Sequence, residues 1–306
     1  MEATNVAAHA PSAQPDTEIS QPSLLARQSV RRLLSGSAVY VILTVLGIVC
    51  LIPLAWMLST SLKATGEVFI WPPKWIPDEL LWNNFTRVFT TIPFARYIWN
   101  TLTIVAWSII GNVLSCSIVA FGFARLRFPG RNFWFGVLIA TLMIPGTVLT
   151  IPTFILFKEL GWYDTYLPLI VPTFFGAPFF IFLMRQYMLT IPLELDDAAR
   201  IDGANWWQIL TQVILPLCKP PLTIIVVFTF MGSWNDLMGP LIYLSDPDKY
   251  TVAIGLAMFK SATMAARTDW PALMAGSLMS ILPAMVIYYF AQKYLIGGIA
   301  SVGLKG

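Results

Sequence analysis

The chain has little charge and almost no histidine. Asp, Glu, Lys and Arg make up 11% of its 306 residues, whereas 57% of the residues are hydrophobic. Soluble domains carry about 25% charged residues, so this composition predicts an integral membrane protein. The net charge of +3 is small and spread along the chain, and it indicates no nucleic-acid partner. The single histidine, His9, lies in the N-terminal tail, which excludes histidine-based catalysis and histidine metal sites.

Cysteine is also scarce, and no glycine is followed by lysine. Cys50, Cys116 and Cys218 are far apart and do not have the spacing of a metal site, so we expect inert thiols. A phosphate-binding P-loop contains a Gly-Lys pair. Since the chain has none, it cannot be an ATP-hydrolysing subunit. We expect a chain that is not an enzyme and binds no cofactor or metal.

Long apolar runs are what the sequence does have. A hydrocarbon core of about 30 Å requires about 20 residues of helix. Candidate spans lie at about 39–58 and within 97–124, 132–157, 166–184, 222–243 and 270–292. The sequence therefore predicts an all-α integral membrane protein with six transmembrane helices. Prolines such as Pro145, Pro152 and Pro283 predict kinks in several of them.

Basic residues near the ends of the spans predict the orientation. Arg27, Arg31 and Arg32 precede the first span, and three arginines lie between the second and third spans. The connection between the third and fourth spans has one lysine beside two acids. Cytoplasmic connections carry the excess of basic residues, so both termini are expected in the cytoplasm. The resulting organisation is a disordered tail over 1–37, a membrane domain over 38–296 and a C-terminal tail over 297–306.

One polar segment, residues 190–216, separates the fourth and fifth predicted spans. We call it the central polar segment; it reads TIPLELDDAARIDGANWWQILTQVILP. Thr190 is a plausible N-cap, and the acids that follow would lie near the positive end of a helix. Arg200 follows Asp196 by four residues, a spacing that allows an ion pair. Asp202-Gly203 predicts a turn, with a second helix from Asn205 to about Leu215.

Two interpretations of this helix-turn-helix segment are open from the residues alone. It is an interfacial hairpin that only links two spans, or it is an element on which a soluble partner docks. Ala198 and Ala199 favour docking, because small side chains let another surface approach the backbone closely.

A second group of polar residues lies in the predicted fifth span. Asp236 follows Trp234 and Asn235 there, and ionisable residues inside a membrane usually face a bundle interior or water. The three could line a polar path through the bundle. The alternative is a polar contact that holds helices together or binds a partner subunit.

The central polar segment resembles a known motif. Asp197-Ala198-Ala199, then Asp202-Gly203-Ala204, then Val213-Ile214-Leu215-Pro216 are similar to the EAA loop of the membrane-spanning subunits of ATP-binding-cassette importers. This chain has Asp197 where the family pattern has Glu, and Val213 where it has Ile.

Other stretches resemble the shorter, second permease subunit of maltose-type carbohydrate importers. They are Trp82-Asn83-Asn84-Phe85, Tyr97-Ile98-Trp99-Asn100, Phe123-Ala124-Arg125, Trp234-Asn235-Asp236, Pro240-Leu241, Tyr250-Thr251 and Leu304-Lys305-Gly306. Together with the EAA-like loop they extend over roughly residues 38–306.

The resemblance implies a function and a set of partners. The EAA loop would form a cytoplasmic coupling helix seated in a cleft of an ATPase subunit, with docking residues Asp197, Ala198, Ala199, Asp202 and Gly203. The partners would be a related permease, two ATPase subunits that use ATP and Mg²⁺, an external sugar-binding protein and membrane lipid. The location would be the inner membrane of a prokaryote. The alternative, an ion-coupled secondary transporter, usually shows several ionisable groups in its spans, and this chain has Asp236 and little else.

Overall fold

The computed structural model describes residues 24–261 and 268–303, and within them every regular element is a helix. This confirms the predicted all-α class. The α-helices are α1 Leu24–Ser61, α2 Asn83–Thr91, α3 Phe94–Arg125, α4 Arg131–Ala140, α5 Gly146–Glu159, α6 Leu167–Ile170, α7 Pro178–Met188, α8 Glu194–Ile201, α9 Trp206–Gln208, α10 Leu215–Leu217, α11 Lys219–Trp234, α12 Met238–Tyr243, α13 Val252–Ser261 and α14 Trp270–Gly303. A π-helix covers Ile209–Ile214, and short 3-10 turns cover Thr65–Glu67, Thr141–Met143, Val171–Phe175 and Pro247–Lys249.

Membrane spans follow from the longest apolar helices. Four candidates cross by themselves: Val39–Ser61, Phe94–Arg125, Leu167–Met188 and Trp270–Tyr294. Two bent pairs are long and apolar enough only together: Arg131–Met143 with Gly146–Glu159 at 97°, and Trp206–Leu217 with Lys219–Trp234 at 81°. The described part of the chain therefore has four candidate spans, or up to six if each bent pair is one span.

Three of the predicted spans are not single helices; the predicted fourth passes from α6 through a 3-10 turn to α7. The predicted third span breaks between Met143 and Gly146, at Pro145, which has no backbone N–H to continue the ladder. The predicted fifth span is wrong in its extent, because α11 already ends at Trp234. Asp236 therefore lies in the break before α12 and not within a helix.

The ends of the described chain are more helical than expected. α1 begins at Leu24, so residues 24–37 are helical although the sequence predicts disorder there. α14 continues to Gly303 through most of the expected C-terminal tail. The predictions for residues 1–23 and 304–306 concern residues outside the described ranges.

The chain divides into two compact units, Met1–Ala55 and Trp56–Gly306. Of the first, the structure describes the N-terminal part of α1. The second contains two apolar cores. One lies among α3, α7 and the residues after α8, and it is built around Cys116, Phe121, Met184, Ile209 and Ile214. The other joins α2, α3, α11, α13 and α14 around Val88, Phe94, Tyr97, Phe230 and Trp234.

Glycines on α3 and α13 allow close packing in the second unit. A Cβ at Gly111 would overlap Thr173 and Phe174, and one at Gly255 would overlap the ring of Tyr97. Small residues are common where membrane helices approach closely, because contact between helices replaces contact with lipid.

Two asparagines that carried the family resemblance hold loops against helices. Asn84 is buried, and its Nδ2 donates to two backbone carbonyls at the end of α1, at 2.9 and 3.0 Å. Asn100 Nδ2 donates to the carbonyls of Asp248 at 2.9 Å and Tyr250 at 3.0 Å. Such buried side-chain donors need partners, so these positions serve packing.

A polar clip joins the loop before α6 to the loop after α12. Asp164 Oδ1 accepts from the backbone N–H groups of Ser245 and Asp246, each at 3.0 Å, and its Oδ2 lies 2.7 Å from Lys249 Nζ. These contacts lower the pKa of Asp164, with the Lys249 hydrogen bond as the largest cause. Asp164 has a left-handed φ of 58°, which Asp tolerates better than most residues. We call this set the Asp164–Lys249 clip.

Candidate functional site

Helix α8 of the central polar segment begins without a side-chain cap. Its N-cap position is Leu193, and Glu194, Asp196 and Asp197 occupy its first turn as predicted. The expected N-cap role of Thr190 is wrong, because its hydroxyl donates to the carbonyl of Tyr187 at 2.8 Å, at the end of α7. The helix is thus stabilised by acids beside its positive end and by what its inner face contacts.

Two faces of α8 differ in exposure. Asp196 is buried and Ala199 is half-buried, and Ala199 packs against the core of α3 and α7. Asp197, Ala198 and the rest of the helix are exposed, and Ile201 is 87% exposed. The helix therefore lies on the surface of the bundle with one narrow side attached, and its predicted docking residues Asp197 and Ala198 face away from the bundle.

The buried side of α8 is attached by an ion pair with α3. Asp196 Oδ2 lies 2.9 Å from Arg125 Nε, and their side chains are 6% and 1% exposed. Arg125 Nη2 also donates to the carbonyl of Ile191 at 2.9 Å. The expected pair between Asp196 and Arg200 is wrong: Arg200 lies over the ring of Trp206, 5.1 Å from its centroid. The i,i+4 spacing allowed a local pair, but tertiary packing turned Asp196 inward.

The pair has a high desolvation cost. Burial raises the pKa of Asp196 above its ordinary value, and the nearby Arg125 charge opposes that rise. Within the part of the chain that the structure describes, Asp196 Oδ1 accepts no hydrogen bond, and Arg125 Nε meets Asp196 Oδ2 as an ion pair without hydrogen-bond geometry. Replacing such a pair with apolar side chains is often neutral for stability, whereas removing one partner leaves a buried charge. The pair is thus poorly explained as a source of stability alone.

The turn after α8 has the predicted glycine geometry. Gly203 has a φ of +83°, its N–H donates to the carbonyl of Arg200 at 3.0 Å, and the N–H of Ala204 donates to Ala199 at 2.9 Å. A Cβ at Gly203 would meet nothing within 4 Å, so its backbone conformation is what requires glycine. Asp202 ends the helix and is exposed.

The second helix begins with a capping box that sequence reasoning missed. Asn205 Oδ1 accepts from the N–H of Gln208 at 2.9 Å, and Gln208 Oε1 accepts from the N–H of Asn205 at 2.8 Å. The signal was present, since a capping residue followed three positions later by Gln marks a helix start.

A π-helix lies within this second helix. α9 continues through Ile209–Ile214 into α10, which ends at Leu217. Ile209, Leu210 and Ile214 are buried, so the π-helix is packed against the bundle. Single π-turns inside helices occur often at functional sites, but the residue pattern does not predict this one.

The predicted pathway residues Trp234, Asn235 and Asp236 point to separate partners. Trp234 is buried, and its Nε1 donates to the carbonyl of Ser280 on α14 at 3.0 Å. Asn235 Nδ2 donates to a carbonyl within α11 at 2.8 Å, and Asp236 Oδ1 accepts from the N–H of Gly239 at 3.0 Å. These are contacts of helix packing and helix capping. A role of the three residues in substrate passage stays a prediction.

Comparison with known proteins gives one family. Residues 116–300 match the family described as "Binding-protein-dependent transport system inner membrane component". The arabinooligosaccharides transport system permease protein AraQ of Halalkalibacterium halodurans is 34% identical over 276 residues, which are 89% of this chain and 95% of the relative. The inner membrane ABC transporter permease protein YcjP of Escherichia coli is 31% identical over 280 residues, 90% of this chain and 99% of the relative.

A solved structure shares the fold. The crystal structure of a bacterial ABC transporter involved in the import of the acidic polysaccharide alginate superposes with a TM-score of 0.75 at 24% identity, covering 85% of this chain and 96% of that chain. The resemblance first seen in the EAA-like motif is confirmed: this chain belongs to the family of binding-protein-dependent transport system inner membrane components.

Proposed function

We propose that this chain is one permease subunit of an ATP-driven importer of sugars or oligosaccharides. The relatives support the substrate class, since their names include arabinooligosaccharides, diacetylchitobiose and trehalose/maltose. The alginate transporter adds a further carbohydrate. An ion-coupled mechanism has no comparable support, because the family is defined by dependence on a binding protein.

The proposed coupling to an ATPase rests on one observation, the exposed outer face of α8. A short helix is fixed to the bundle by Asp196 alone among its acids, while Asp197 and Ala198 are exposed. Exposed apolar side chains, Leu195 at 41% and Ile201 at 87%, surround them. Exposed apolar side chains rimmed by polar residues mark interaction sites on protein surfaces. We infer that this face seats in an ATPase subunit, with Asp197 placed to pair with a basic side chain there.

The remaining architecture belongs to the same proposal. We count the first bent pair as one span and take α11 as the membrane-crossing part of the second pair, with α9 and α10 at the cytoplasmic surface. The chain then crosses the plasma membrane of a prokaryote six times, with both termini and the central polar segment in the cytoplasm. A second permease subunit completes the pathway, two ATPase subunits bind ATP and Mg²⁺, and an external binding protein delivers the sugar. This chain binds no cofactor of its own.

Substituting the outward face tests docking. We expect Asp197→Lys, and separately Ala198→Glu, to leave membrane insertion unchanged and to reduce co-purification of the ATPase subunit at least tenfold. Glu79→Lys is the matched control, because Glu79 is an exposed acid in the loop before α2. If ATPase recovery with both α8 variants equals that with the control, the docking surface is elsewhere.

Uptake measurements test the substrate and the energy source. The complete complex in proteoliposomes, supplied with ATP inside and binding protein outside, is expected to accumulate a labelled oligosaccharide from a panel of arabino-, galacto- and malto-oligosaccharides. Uptake should persist with a protonophore and stop without ATP. Uptake by the isolated chain under an ion gradient would instead establish the secondary-transporter alternative.

A further inference from the structure

Asp196 and Asp197 are neighbours in the chain with opposite environments. Asp197 is exposed, whereas Asp196 is 4% exposed and meets Arg125, the last residue of α3. Arg125 simultaneously donates to the carbonyl of Ile191 before α8. The end of α3 therefore contacts both the helix α8 and the segment that leads into it.

Helix α3 is long enough to connect both faces of a membrane. Its 32 residues correspond to about 48 Å at 1.5 Å per residue. It packs against α7 and α11 along its length. The helix is therefore a stiff element with Arg125 at one end.

The opposite end of α3 is joined to the loop before α13. Asn100 donates to the carbonyls of Asp248 and Tyr250. Thr101 Oγ1 accepts from the N–H of Val252 at 2.9 Å. Arg96 Nη1 lies 2.5 Å from Asp248 Oδ1. This loop also holds Lys249 of the Asp164–Lys249 clip, so a displacement of α3 along its axis would displace the clip.

We propose that the Arg125–Asp196 ion pair makes α3 the element through which movement of α8 reaches the loop around residues 245–252. Asp196 is a positioning residue: it touches neither substrate nor ATPase, and it fixes the docking helix to the end of α3. This inference rests on the proposed docking of α8 to an ATPase, and it assigns the next step after docking.

The environment of the pair makes the attachment firm in both directions. Both side chains are enclosed, so water cannot replace either partner when the helix is pulled or pushed. Separating them would leave a buried carboxylate beside an unpaired guanidinium, which is strongly unfavourable. A contact of apolar side chains, by contrast, is non-directional and can slide.

Two fluorescent reporters distinguish the near side of the pair from the far side. The parent chain carries Cys50→Ser, which removes the exposed native thiol; the other two cysteines are buried. The near reporter is a label on Glu194→Cys, an exposed position at the start of α8 that is not among the proposed docking residues. The far reporter is a label on Ser245→Cys, an exposed position beside the clip. Each is measured in the complete complex in nanodiscs on addition of ATP without hydrolysis.

We expect both reporters to respond in the parent chain. With Asp196→Asn, which keeps the shape and removes the charge, the near response should remain and the far response should fall at least fivefold. Sugar uptake per ATP hydrolysed should fall by a similar factor. Asp196→Glu keeps the carboxylate and should retain most of the far response. If Asp196 only filled space, the added methylene would disturb its packing and reduce the far response as well.

The outcomes separate this inference from the proposed function. An unchanged far response with Asp196→Asn would overturn the inference, as would loss of the near response, which would show that Asp196 only seats the helix. A near reporter that stays silent in the parent chain would overturn the docking proposal and the inference with it.

Discussion

Gly203 offers a perturbation whose size can be worked out from the backbone. Its φ of +83° places an L-residue in the left-handed region, which costs about 1–2 kcal/mol. No atom lies within 4 Å of an added Cβ, so no steric clash contributes. Alanine also lowers the conformational entropy of the unfolded chain, which offsets part of this cost. Gly203→Ala should therefore reduce the free energy of unfolding by about 1 kcal/mol.

The loss should be visible in a melting curve. The entropy of unfolding is about 2.1 cal/mol/K per residue, so for 306 residues a loss of about 1 kcal/mol lowers the melting temperature by roughly 1.5 °C. We expect Gly203→Ala to lower the melting temperature of the purified chain in detergent by that amount. Gly203→Asn should lower it less, because asparagine tolerates left-handed conformations better. Gly203→Pro should be worst, since it also removes the N–H that donates to Arg200.

A matched glycine supplies the control. Gly122 lies inside α3, and a Cβ there also meets nothing within 4 Å, but its φ is not left-handed. Gly122→Ala should raise the melting temperature, because alanine favours a helix interior by about 1 kcal/mol. We further expect Gly203→Pro to insert normally and to abolish ATP-driven uptake. Equal melting temperatures for Gly203→Ala and the parent, with normal uptake by Gly203→Pro, would refute the assignment of this turn.

Three further changes test contacts elsewhere in the second unit. Asp164→Asn should reduce stability at pH 7. Because folding lowers the pKa of Asp164, the stability that its carboxylate contributes is complete above about pH 4 and is lost as the pH falls further. The melting curves of the variant and the parent should therefore converge in acid. Trp234→Phe removes the indole N–H that donates to the Ser280 carbonyl and should cost about 1 kcal/mol in thermal unfolding, whereas Trp107→Phe at an exposed position should change nothing. Gly255→Ala would overlap the Tyr97 ring and should cost about 1–3 kcal/mol, whereas Gly232→Ala, with open space around it, should not destabilise α11.

The helical class and most of the spans could be predicted because a membrane imposes a simple requirement. Twenty apolar residues in a row are visible without any knowledge of packing. Breaks were harder to place. A proline indicates that a helix bends, as Pro145 did, but the angle depends on what the two halves contact. α11 ends at Trp234, where long-range contacts form: Trp234 donates to a carbonyl of α14, and Asp236 beyond the helix accepts from the N–H of Gly239.

At the candidate site, local features were predictable and tertiary ones were not. The acids in the first turn of α8 and the left-handed Gly203 follow from neighbours in the chain. The partner of Asp196 does not, because Arg125 is far away in sequence and only packing brings it within 2.9 Å. The two adjacent acids of the motif look equivalent in the sequence, and only the fold shows that they face opposite ways.

Helix α3 carries an arginine–aspartate pair at each end, and the two pairs will respond differently to dissolved ions. The side chains of Arg96 and Asp248 are 55% and 61% exposed, whereas those of Arg125 and Asp196 are 1% and 6% exposed. Mobile ions screen the exposed pair strongly once the Debye length falls to about 3 Å in 1 M salt, and they barely reach the enclosed one. Concentrated salt should therefore weaken the Arg96–Asp248 pair and leave the Arg125–Asp196 pair unchanged.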